Sequence, residues 1–155
     1  MTSISHSYFA STAKGLEPLL LKEIAAFSPE SIREIPGGMF FSGPLETALN
    51  VCLWSRTASR VFLTLSHFSA SDPDELYANC IKFPWDDFMD VDQTFAVSGN
   101  VFSSNITHSQ FAALKVKDSI ADFFRDKYKK RPSVKTERPD LQFHIFYFLF
   151  LYFIC

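Results

Sequence analysis

Glycine is scarce in this 155-residue chain. Only five occur, at positions 15, 37, 38, 43 and 99, and none makes a G-x-G-x-x-G or P-loop pattern. A nucleotide or S-adenosylmethionine site in an α/β sheet usually needs a Gly-rich turn where backbone approaches the ligand, so no cofactor-binding residue is assigned. Cysteine is equally sparse. Cys52, Cys80 and Cys155 are odd in number and form no C-x-x-C, which excludes a disulfide scaffold or zinc knuckle and points to a reducing cytoplasm. The four histidines are scattered. Asp86, Asp87, Asp90 and Asp92 lack the Gly and terminal Glu of an EF-hand, so no metal ligand is assigned. Ser55 and Ser59 have neither a base nor a nucleophile elbow, and no catalytic residue emerges. The start has no basic n-region or apolar h-region, and no apolar run approaches the roughly 20 residues of a membrane helix. Excess positive charge is missing too. A net charge of −2 and pI near 6.1 rule out a uniformly basic nucleic-acid coat, though not a local patch.

The composition that remains is globular, 47% hydrophobic and 21% charged. Tyr8–Thr12 reads as a strand. Leu16, Leu19, Leu20, Ile24 and Phe27 then recur at helical offsets, with Pro18 in the first turn, where its missing N–H has no intrahelical partner. Ser31–Ile35 and Met39–Phe41 flank a Pro36-Gly37-Gly38 reversal. Gly43-Pro44 opens a second helix carrying Leu45, Ala48, Leu49, Cys52 and Leu53 on one expected face. A strand alternating from Val61 to Ser66 comes next. This strand-helix-strand-strand-helix-strand order is ferredoxin-like. Beyond it, Ser71 is placed to cap a helix burying Leu76, Cys80 and Ile81. An acidic loop around Trp85–Phe88 leads to a strand over Thr94–Val101. A long helix spans Thr107–Tyr128, with Ala113, Val116, Ile120, Phe123 and Phe124 inward. The fold class is α+β, with a subdomain over 1–66 and a second α/β domain over 67–145.

Charge is segregated along the chain. Between Lys115 and Arg138 nine basic residues face four acidic ones, whereas the Asp72–Asp92 segment is acidic. Lys127, Lys129, Lys130 and Arg131 surround Tyr128 with no acid among them. A cationic helix end with an aromatic ring suits phosphate and base contacts. The competing reading pairs Asp118, Asp122 and Asp126 with Lys115, Arg125 and Lys130 at helical spacing, leaving a solvated face.

Four segments, in order, resemble the large-subunit ribosomal RNA guanine-N2 methyltransferases of the RlmL type. They are Phe9-Ala10-Ser11-Thr12-Ala13-Lys14-Gly15-Leu16-Glu17, Gly37-Gly38-Met39-Phe40-Phe41-Ser42-Gly43, Leu53-Trp54-Ser55-Arg56-Thr57-Ala58-Ser59-Arg60, and Ser109 through Ile120, with Arg131-Pro132 and Pro139-Asp140 after them. The resemblance implies a ferredoxin-like subdomain and then a THUMP RNA-binding domain. It makes Ser109, Gln110, Lys115 and Lys117 candidate phosphate or sugar contacts, and structured RNA, 23S rRNA, the expected partner. Arg56 and Arg60 either touch RNA or bridge the subdomains. In that family S-adenosylmethionine and the flipped guanine belong to a downstream domain with an Asn-Pro-Pro-Tyr motif. This sequence has no Pro-Pro dipeptide.

From Phe146 the sequence is an uncharged aromatic run, read as an aberrant tail over 146–155 left by a frameshift or truncation, with the THUMP sheet unfinished and an edge unpaired. The competing reading is a hydrophobic strand that docks on the sheet or on a partner. Two functions fit these features. One is an RNA-binding module without a catalytic domain of its own. The other is an assembly subunit for a separately encoded methyltransferase domain.

Overall fold

A computed structural model describes residues 4–101, 106–148 and 151–154. The chain divides into two compact units, Met1–Leu65 and Ser66–Ile154.

The first unit runs β1 (His6–Thr12), α1 (Glu17–Ala25), β2 (Ser31–Ile35), β3 (Gly38–Gly43), α2 (Leu45–Trp54) and β4 (Ala58–Leu63). The four strands form a sheet of order β2-β3-β1-β4 with antiparallel neighbours. Tyr8, Ala10, Met39 and Phe41 project from one face and are packed with Leu20 and Ile24 of α1 and with Ala48 and Val51 of α2. Alternation sends the next residues to the opposite face. There Phe9 sits opposite both Phe40 and Phe62 in register, with ring centroids 4.9 and 6.2 Å away.

Both helices bury a narrower stripe than expected. Leu16 and Leu19 of the α1 region are exposed, and so are Leu45, Leu49 and Leu53 of α2. The buried face of α2 is instead Thr47, Ala48 and Val51. Small side chains let a helix lie close to a sheet, and the leucine row then turns outward. Periodicity alone could not choose between the two stripes, because residues four apart share a face on either side.

The α1 carboxylates hold loops in place. Glu17 accepts from the N–H groups of Gly37 and Gly15, at 2.9 and 2.6 Å, which hold it below the ordinary carboxylate range.

The second unit runs β5 (Ser66–Ser69), α3 (Pro73–Cys80), a single 3-10 turn (Trp85–Asp87), β6 (Phe95–Val101), α4 (Ile106–Tyr128), β7 (Leu141–Phe148) and β8 (Leu151–Ile154). Its sheet order is β5-β8-β7-β6. The β6–β7 pair is parallel, with α4 as the crossover, and β8 is antiparallel to both β7 and β5. The cap of α3 is Asp72, not Ser71. Its Oδ1 accepts from the N–H groups of Asp74 and Glu75 at 2.9 and 2.8 Å, while Ser71 donates to the Glu75 carboxylate. Asp has the shorter reach to the N2 and N3 donors once Pro73 takes N1.

Two further expectations change. The acidic loop is not simply solvated. Trp85 is fully buried, donates its indole N–H to the Cys80 carbonyl at 2.8 Å, and meets the Phe143 ring edge-on at 5.3 Å. The sheet expected to stop at residue 145 also continues. Phe146–Phe148 extend β7, and Leu151–Ile154 are hydrogen-bonded on both sides as β8. Consecutive Ile145 and Phe146 are both buried, so both faces of β7 are covered there, and a strand covered on both faces needs no polar alternation. Residues 149, 150 and 155 of the expected tail lie outside the described residues.

Gly38 yields a test of the first unit. A Cβ there would stand 2.5 Å from the Ala10 carbonyl oxygen and 2.5 Å from the Phe9 ring. Gly38→Ala therefore overpacks the β1–β3 contact and should cost about 1–3 kcal/mol, read as a lower urea midpoint at unchanged slope.

Candidate nucleic-acid interface

Helix α4 positions most of the candidate residues. Ala112, Ala113, Val116, Ile120, Ala121 and Phe124 are buried along it, and it packs against α3, β6 and β7. Burial of that stripe fixes the helix rotation, and with it the direction of every cation. Phe123, expected inward, is only half-buried. Its ring lies 5.5 Å below the Lys127 ammonium.

Lys127, Lys129, Lys130 and Arg131 are all exposed at the C-terminal end of α4. The helix stops where Lys129 adopts a left-handed φ of 57°. The chain beyond is anchored through a parallel bridge between Val134 and Phe95, and through Asp140, which accepts from the Thr94 N–H and hydroxyl at 2.8 Å each. Those bonds hold the Asp140 carboxyl below its usual range.

Lys115 and Lys117 lie half-buried farther up the helix, and Gln110 is exposed. Ser109 belongs to α4, but its side chain lies outside the described residues. Gln110 and Lys117 flank a cleft of about 380 Å³ with Ala113 and Leu114, closed on the strand side by Val97, Ser98 and Gly99 of β6. Arg56 and Arg60 belong to the first unit, and both are exposed. Val61 packs towards the helices, so Arg60, its neighbour along β4, points to the other face.

Sequence reasoning misses what the acidic segment does. It pairs the α4 cations with acids of their own helix, and only Arg125–Asp122 and Lys117–Asp118 are of that kind, at 2.5 and 3.3 Å. The other partners come from about forty positions earlier. Lys115 bonds Asp74 at 2.6 Å, Lys127 bonds Asp86 at 2.5 Å, and Lys130 bonds Asp92. Tyr128 donates to the same Asp86 oxygen at 2.7 Å. Lys127 and Tyr128 hold Asp86 below the usual carboxylate range, and Asp86 in turn raises the pKa of both. Charge segregation along the chain is the signal that could have found them, since opposite blocks attract on folding. Lys129 donates to the Asp126 carbonyl, at 2.9 Å. Arg131 enters no ion pair among the described residues.

A second cleft, of about 400 Å³, lies beneath the helix end and is lined by Asp86, Asp90, Asp92 and Asp140 with Phe124 and Tyr128. Its carboxylates repel phosphate, so anions are drawn to the outer, cationic side. No group of three or more metal-ligating residues stands together among the described residues. Cys80 is no nucleophile, because burial pushes its thiol up to about 12.

The two units define a class: an α+β chain that joins a ferredoxin-like unit to an α/β unit presenting a long cationic helix. The chain belongs to the THUMP-domain family, whose model matches residues 70–149, and a model of the RlmL ferredoxin-like domain matches residues 7–62. A ribosomal RNA large subunit methyltransferase K/L from Syntrophotalea carbinolica is 46% identical over 138 residues, which cover 89% of this chain and 19% of that protein. Its counterpart from Magnetococcus marinus is 41% identical over 90% of this chain and 19% of its own length. A predicted N6-adenine-specific DNA methylase from Listeria monocytogenes superposes with a TM-score of 0.78 at 25% identity, over 97% of this chain and 40% of its own. The chain thus spans about a fifth of the length of these curated relatives.

Tyr77 reports on how firmly α3 and α4 are joined. Its hydroxyl donates to Asp122 Oδ2 at 2.6 Å, and that bond, aided by burial, raises its pKa to about 12. A raised folded-state value gives stability that is complete below the unfolded tyrosine pKa near 10 and is lost as pH climbs through about 12. In a phenolate-absorbance titration, the step removed by Tyr77→Phe should be the late one, and Asp122→Asn should bring it back towards 10.

Proposed function

We propose that this chain binds structured RNA, specifically large-subunit ribosomal RNA, through the exposed end of α4, and that it presents that RNA to a methyltransferase domain. The observation that carries the reading is the gathering of Lys127, Lys129, Lys130 and Arg131 around Tyr128 at one solvent-facing helix end. Family membership and the relatives' rRNA methyltransferase name support it. In this reading Lys115, Lys117, Gln110 and Ser109 extend the contact along the helix. S-adenosylmethionine binds the methyltransferase domain and not these two units, since none of their glycines forms a donor-binding loop. The setting is the cytoplasm, where the ribosome is assembled.

The ion pairs do not oppose this. The exposed Lys130–Asp92 pair contributes little net stability because water and salt screen it, so a phosphate can displace Asp92, whereas Asp86 is more covered and gives up Lys127 less readily. Counterion release from the RNA then drives binding.

A second reading, an assembly subunit for a separately encoded methyltransferase domain, is favoured by one observation. Leu45, Leu49 and Leu53 form an exposed apolar row on α2, each more than half exposed.

Filter-retention assays with a large-subunit rRNA transcript across a salt series test the first reading. Affinity should fall steeply with salt, and Lys129→Ala/Lys130→Ala should flatten the log–log slope by roughly 1–2. Asp86→Asn, which releases Lys127 and Tyr128, should tighten low-salt binding a few-fold. Absence of binding at low salt refutes the proposal.

A further inference from the structure

We infer that Trp54 and Arg56 form a second RNA contact, on the first unit, where an unpaired base stacks on the exposed indole and Arg56, two residues on, meets the same strand of RNA. The inference rests on the RNA-binding reading above and adds a ligand class and a site to it.

Two tryptophans occur, and they are opposites. Trp85 is fully buried, whereas Trp54, the last residue of α2, is 70% exposed. An indole left in water beside a complete core is an unused apolar surface. The segment after Trp54 is firmly held. The Glu23 carboxylate on α1 accepts from the Ser55 hydroxyl at 2.5 Å, the Thr57 hydroxyl at 2.8 Å, and the Arg56 and Thr57 N–H groups at 3.2 and 3.3 Å. Ser55 Oγ also accepts from the Ala58 N–H at 2.9 Å, and Thr12 donates to the Thr57 carbonyl at 2.7 Å. Residues 55–57 therefore have their hydroxyls and N–H groups engaged inward, while the Arg56 side chain and the preceding Trp54 ring face solvent. A segment already fixed by the fold loses little further freedom on binding.

Charge selects the ligand. Glu23 is committed to the loop, and Arg56 enters no ion pair among the described residues. An exposed planar cation two residues from an exposed aromatic ring complements a polyanion with unpaired bases, because arginine and tryptophan both stack on nucleobases. The site differs from the α4 cluster in kind, since it reads unpaired bases where the helix end reads phosphate.

Tryptophan emission of the full chain tests the inference, because buried Trp85 stays silent while Trp54 responds. The probe is an RNA hairpin with an unpaired loop, set against a fully paired duplex of equal length. The hairpin should quench Trp54 and the duplex should not. Trp54→Ala should weaken hairpin binding by about ten-fold with the salt slope unchanged, Trp54→Phe should restore part of the affinity, and Arg56→Ala should lower the affinity too. Far-UV circular dichroism and the blue-shifted Trp85 emission verify that each variant is folded. Salt-dependent retention of RNA with Trp54 emission unaltered and Trp54→Ala binding normally would overturn this site and leave the α4 reading standing. No RNA binding at low salt would overturn both. Quenching that tracks protein concentration without RNA, with a doubled mass in sedimentation, would reassign the surface to self-association through α2 and overturn the site as well.

Discussion

One constraint governs the second unit: α4 must bury a single stripe from Ala112 to Phe124. At 3.6 residues per turn that requirement sets the rotation of the whole helix. Ser119 and Ile120 go inward, and Lys115 and Asp122 turn towards α3, where Asp74 and Tyr77 meet them. By the last turn the same rotation leaves Lys127 and Tyr128 over Asp86. The cationic end is thus a by-product of core packing and costs no separate ordering. Rotating the helix to change its charge display would expose Val116 and Ile120, so that display can change by substitution but not by movement.

Legibility tracks the range of the physics. The element order of the first unit is readable because turn residues and alternation act within a few positions: Gly37 takes a left-handed φ of 83° where a reversal is expected. The helix faces are less readable. Leu45, Leu49 and Leu53 satisfy helical spacing as well as Thr47, Ala48 and Val51 do, and the choice is made by how closely α2 approaches its sheet. The RNA candidates on α4 emerge from charge and motif, while their partners Asp74, Asp86 and Asp92 do not. Coulomb pairing across about forty residues leaves no local period to detect. Trp54 escapes notice for a related reason, because an exposed indole and a buried one look alike in sequence.

The end of the chain makes the same point through hydrogen bonding. An uncharged aromatic run reads as a hazard when its environment is unknown. With β7 parallel to β6 and β8 inserted between β7 and β5, the same run becomes interior strand, and where consecutive Ile145 and Phe146 are both buried the strand is covered on both faces and needs no polar alternation. The pairing partner of β8 is β5, some eighty residues earlier. β5 is itself invisible in the sequence, because Ser66-His67-Phe68-Ser69 has too little apolar content to announce a strand.

The acidic segment gives the cationic helix a property that bare lysines lack. Asp86 and Asp92 occupy Lys127 and Lys130 in the unbound chain, so any anion must compete with a carboxylate already in place. A single small anion gains little by that exchange, since one exposed pair merely replaces another. A polyanion gains at several positions together and releases its own condensed counterions, a term that grows with every phosphate neutralised. The balance therefore discriminates by multiplicity. It favours a folded nucleic acid that meets Lys127, Lys129, Lys130 and Arg131 at once over free phosphate or an isolated acidic side chain. On the proposed reading it also reconciles a net charge of −2 with a phosphate-binding face. Much of its negative charge lies in the Asp72–Asp92 segment, which supplies the carboxylates that face those lysines.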